Sequence, residues 1–61
     1  MAIDAVYTGA DMWREYCAKY GRDEARRICN GYLDMQWATG RARVDADEMQ
    51  FCRELFAAMG N

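Results

Sequence analysis

The 61-residue chain contains no histidine, no serine and no proline. Without histidine it lacks the side chain most often used as a general base or metal ligand near neutral pH. Without serine it has no seryl nucleophile, and a cysteine nucleophile would need another base that no spacing suggests. A glycine-rich phosphate loop is also missing. The glycines at 9, 21, 31, 40 and 60 fall mostly where helices end. No apolar run approaches the ~20 residues that span a bilayer. Residues 1–10 lack the basic and long apolar regions of a secretory signal. The formal charge is −2, from 8 basic and 10 acidic residues, so no strong field draws the chain to nucleic acid or anionic lipid. These absences predict no catalytic residues, no cofactor and no membrane partner.

Three cysteines remain: Cys17, Cys29 and Cys52. An odd number without a secretory signal points to a reduced, cytoplasmic setting. An oxidised pair plus one free thiol is the alternative. Zinc sites pair cysteines closely and add a fourth ligand. Here the spacings are wide and no fourth Cys or His exists, so core packing is expected and no metal. Asp45, Asp47 and Glu48 do not follow the alternating oxygen-ligand pattern of a calcium loop. They read as the start of a helix.

The chain is rich in large side chains, with two Trp, four Tyr and two Phe, a composition that argues against disorder. Apolar residues recur at helical spacing in three stretches. Thr8 and Asp11 form a capping-box pattern ahead of Met12, Trp13, Tyr16, Cys17 and Tyr20. Glu15 and Lys19 stand four apart in the favourable order for a pair, and Gly21 is the stop. Asp23 and Glu24 open a second helix with Ala25, Ile28, Cys29, Tyr32, Leu33 and Gln36 on its inner stripe. Met35 and Trp37 take its shoulders. Gly31, in mid-helix, costs up to ~1 kcal/mol relative to Ala and suggests a close helix approach. Thr39 to Val44 reads as a loop. Asp45 caps a third helix whose stripe is Met49, Cys52, Leu55, Phe56 and Met59. The expected architecture is an all-α single domain of residues 1–61. It is a compact three-helix bundle with helices at about 9–20, 23–39 and 46–59. Ile3 and Val6 either extend the first helix backward from Asp4 or form a short arm.

Two surfaces are left over once this core is assigned. Trp37 and Phe51 each lie about 100° around their helix from the middle of its stripe, and Arg41 and Arg43 are close by in sequence. Aromatic residues with arginine are enriched at protein–protein hot spots. Trp37, Phe51, Arg41 and Arg43 are therefore the candidate protein-binding residues, the partner being another protein or a second copy in a homodimer. Chains this small are common among phage and mobile-element accessory proteins that bind and modulate a host protein, and that is the leading expectation. The second is a small DNA-binding regulator of helix-turn-helix type. Its second helix would read DNA through Arg22, Arg26, Arg27 and Asn30. Asp23 and Glu24 would meet phosphates at the tip of that helix, and the chain is acidic overall, which places nucleic acid behind protein.

Overall fold

The computed structural model describes residues 7–60 and is helical over most of that length. The elements are α1 (Gly9–Tyr20), α2 (Arg22–Ala38), α3 (Arg41–Val44) and α4 (Ala46–Ala58). No strand occurs among the described residues. The three long helices match the expected ones to within a residue or two at each end. Ile3 and Val6, expected as a helix extension or an arm, lie outside the described residues.

Local signals set the helix ends. The Thr8 hydroxyl accepts from the Asp11 N–H at 3.1 Å, and the Thr8 N–H donates to the Asp11 carboxylate at 3.0 Å, closing the capping box. Those bonds hold the Asp11 carboxyl below its usual range. Gly21 is the single residue between α1 and α2. Its φ of 89° lies where side chains are disfavoured, and its N–H returns to the Cys17 carbonyl. Asp45 caps α4 by accepting from the N–H groups of Asp47 and Glu48.

The segment expected as a loop after Gly40 is instead partly helical. Gly40 turns left-handed, and Arg41–Val44 form the single turn α3. That turn puts Ala42 fully inside and leaves Val44 almost fully outside. The left-handed Gly40 and the backbone bonds from Arg43 to Gly40 and from Asp45 to Arg41 hold the turn, and Ala42 enters the core from it.

The core is built from Met12, Trp13, Ala25, Cys29, Leu33, Ala42, Cys52, Leu55 and Met59. The inner stripe predicted for α2 is the one observed, with Ala25, Cys29, Leu33 and Gln36 buried and Ile28 and Tyr32 half-buried. The Gln36 side-chain oxygen has no hydrogen-bond partner among the described residues. An unsatisfied buried acceptor costs about 1–3 kcal/mol. In α4 the stripe is shifted: Phe56 is exposed, and Phe51 packs against the core in its place.

α1 packs against both α2 and α4, and α3 closes the other side against the same two helices. α2 and α4 have no comparable backbone contact with each other. The body is compact but flattened, 36 × 31 × 16 Å. The close helix approach is at Gly9 and not at the expected Gly31. A Cβ on Gly9 would stand 2.3 Å from both the Leu55 nitrogen and the Phe51 carbonyl oxygen, whereas nothing lies within 4 Å of one on Gly31. Beside this crossing the Gly9 N–H donates to the Glu54 carboxylate at 3.3 Å. A negative side chain there also suits the positive end of α1.

These two glycines give opposite expectations. Gly9→Ala meets backbone that cannot rotate away, and it should lower stability by about 3 kcal/mol, the upper part of the overpacking range. Gly31→Ala should raise stability by up to ~1 kcal/mol through helix propensity alone. Urea unfolding followed by circular dichroism measures both. Equal effects would contradict the assigned crossing.

Candidate functional site

Where α2 and α4 diverge they leave an open groove of about 350 Å³. Its floor is Leu33 and Cys52, both buried. Its walls are the rings of Trp37 from α2 and Phe56 from α4, which are 42% and 51% exposed. Asp34 on α2 and Arg53 on α4 complete the rim, both exposed. Arg53 also borders a neighbouring hollow with Arg43 and Val44, which joins the groove to α3.

The structure brings together only part of the protein-binding set drawn from the sequence. The Arg43 guanidinium stands 6.0 Å from the centre of the Trp37 ring, a cation–π distance. Arg41 is exposed at the start of α3. Phe51 is elsewhere. It is half-buried, its ring 5.8 Å from Tyr32 and 6.0 Å from Tyr7. It lines a second, acidic hollow that also contains Asp45, Asp47 and Glu54. The other large ring that lines the groove is Phe56, which periodicity assigns to the core. Residues 51 and 56 lie about 140° apart around α4, one on each flank of its buried stripe. Periodicity alone does not say which flank is covered. Seating of α1 at Gly9 covers the Phe51 side.

The residues of the DNA-reading alternative separate in the same way. Arg26 turns inward: its guanidinium lies 5.7 Å from the centre of the Trp13 ring and donates to the Met59 carbonyl at 3.0 Å. It thereby links α1, α2 and the last turn of α4, where a cation is favoured. Arg27 pairs with Glu24 at 3.6 Å. Arg22 is exposed at the first position of α2, and Asn30 lines the α2–α4 groove.

On the other side of the core, polar side chains tie α2 to α4. The Tyr32 hydroxyl donates to the Glu48 carboxylate at 2.5 Å. The Cys52 thiol lies 3.7 Å from the same carboxylate oxygen. Burial first, and then the hydrogen bond to Glu48, push the Tyr32 phenol well above its usual range. Burial and the Glu48 charge raise the Cys52 thiol, and burial raises that of Cys29. A thiol held protonated is a poor nucleophile and a poor metal ligand. Among the described residues no group of three or more His, Cys, Asp or Glu is placed to hold a metal ion. Near the start of α1, Tyr7 donates to Glu15 at 2.5 Å, and that bond is the main cause raising its phenol to about 12. Glu15 thus takes Tyr7, while Lys19, its expected partner, sits 6.0 Å from the centre of the Tyr20 ring.

No helix among the described residues is long and apolar enough to cross a membrane. Comparison with known proteins finds no matching family model, no matching curated protein and no matching solved structure.

The Tyr32–Glu48 bond carries a pH signature. A phenol whose folded-state pKa lies above the unfolded value binds its proton more tightly when folded. Its contribution is complete below about pH 10, the unfolded phenol value, and is lost as pH rises through the higher folded value. Tyr32→Phe should cost about 1–2 kcal/mol near neutrality. It should also remove part of the alkaline fall in stability. Denaturant unfolding at neutral and alkaline pH tests this, and an unchanged alkaline slope would count against the bond.

Proposed function

We propose that this chain is a non-catalytic protein-interaction module that docks a protein partner on the α2–α4 groove. The observation that carries the reading is the pair of rings on its walls. A domain this small buries only about 60% of the surface its chain would expose. It nonetheless keeps Trp37 and Phe56 about half in water, on opposite sides of an apolar floor. Arg43 and Arg53 border the same surface. Aromatic and arginine side chains around a desolvated centre are the composition of interface hot spots.

The binding residues are therefore Trp37, Phe56, Arg43 and Arg53, with Arg41 at the margin. Phe51 is assigned to packing. The missing histidine and serine and the raised thiols support a role without catalysis or cofactor. The odd cysteine count supports a reduced cytoplasmic compartment, and size supports an accessory role of the phage or mobile-element kind, binding and modulating a host protein. The DNA-reading alternative has weaker support, because Arg26 is engaged with Trp13 and Met59 and Arg27 with Glu24.

The test is affinity capture from native-host lysate with the full chain and with a Trp37→Ala/Phe56→Ala variant whose helicity is unchanged. Retained protein should survive raised salt. The variant should bind at least about 30-fold more weakly, the effect of losing one hot spot. Equal capture by the variant would remove the groove from the reading. Captured nucleic acid that dissociates steeply with salt would favour the alternative.

A further inference from the structure

We propose that the occupant of the α2–α4 groove is a second copy of this chain, in a two-fold pair that sets Asp34 of each protomer against Arg53 of its partner. The inference rests on the reading of the groove as a protein-docking surface.

Charge placement supplies the argument. One wall of the groove carries an acid, Asp34 on α2, and the other a base, Arg53 on α4. Both are exposed, and neither forms an ion pair among the described residues. A two-fold interface must be self-complementary, because the same patch faces itself. A two-fold axis along the groove lays α2 of one protomer over α4 of the other. Acid then meets base twice. The same operation lays Trp37 of each protomer on the α4 wall of its partner, so the exposed ring is covered. A partner segment of a single charge sign would satisfy one wall and be repelled by the other.

The size of the chain points the same way. Its core contains two alanines and two cysteines among nine residues. Chains of this length commonly gain burial by oligomerisation. Pairing would bury the two largest exposed rings of α2 and α4 together with the apolar floor between them.

The test is the solution mass of the full chain, measured by sedimentation equilibrium over a concentration series. The wild type should shift from monomer to dimer as concentration rises. Asp34→Arg makes both walls basic, and Arg53→Asp makes both acidic. Each variant alone should self-associate at least about ten-fold more weakly, because like charges now face each other. An equimolar mixture of the two should regain dimer, since a basic groove then meets an acidic one. Circular dichroism on each variant checks that the helices persist. A wild type that stays monomeric into the millimolar range overturns the proposal. So does a dimer that neither charge reversal weakens, or a mixture no tighter than its components. If the chain is monomeric while Trp37→Ala/Phe56→Ala still abolishes capture of a different protein, the second-copy proposal fails and the docking reading stands. A dimer that survives that double variant removes the groove itself.

Discussion

The seating of α1 on α4 at Gly9 is the constraint on which the rest depends. The first residue of α1 lies directly on the backbone of α4 between Phe51 and Leu55, a distance only hydrogen in place of a side chain permits. Glu54 receives the N–H of that same residue from 45 positions away in sequence. At its other end α1 is joined to α2 through Gly21 alone. One helix is thus fastened to both of its neighbours and occupies the space between them. α2 and α4 touch each other little as a result; α3 bridges them, and side chains close the gap on one side. There Tyr32, Glu48 and Phe51 meet. On the other side the space stays open between Trp37 and Phe56.

The parts of this arrangement that were legible in the sequence are those set within a few residues. The Thr8–Asp11 box, the Gly21 stop, the Asp45 cap and the stripe Ala25–Cys29–Leu33–Gln36 each follow from local chemistry and helical period. Contacts between distant positions were not legible. Gly9 and Gly31 look alike in a sequence, and mid-helix position favoured Gly31 as the contact point. The contact instead falls at the first residue of a helix, where a glycine passes for part of a cap. Phe51 and Phe56 flank one stripe about equally, so the covered one is decided by where α1 lands. α3 was hidden by its length, because one turn carries too few residues to show a period.

The arginines illustrate the same division. Their clustering at Arg22, Arg26 and Arg27 suggests a basic surface when read along the chain. On the helix they diverge: Arg26 turns toward Trp13 and the end of α4, and Arg27 returns to Glu24. Arg53 drew no attention in the sequence, being a single charge on an exposed helix face. It gains meaning only beside the groove, across from Asp34. Charge counted by sequence neighbourhood and charge counted by surface therefore describe different molecules.

Each of the two tryptophans lies beneath an arginine, and the two sit in opposite circumstances. Trp13 is buried under Arg26 where α1, α2 and α4 converge, while Trp37 stands in solvent under Arg43 on the groove wall. The chain therefore carries two built-in optical labels with separate duties. The emission of one follows the coherence of the interior, and that of the other follows whatever comes to lie on the surface.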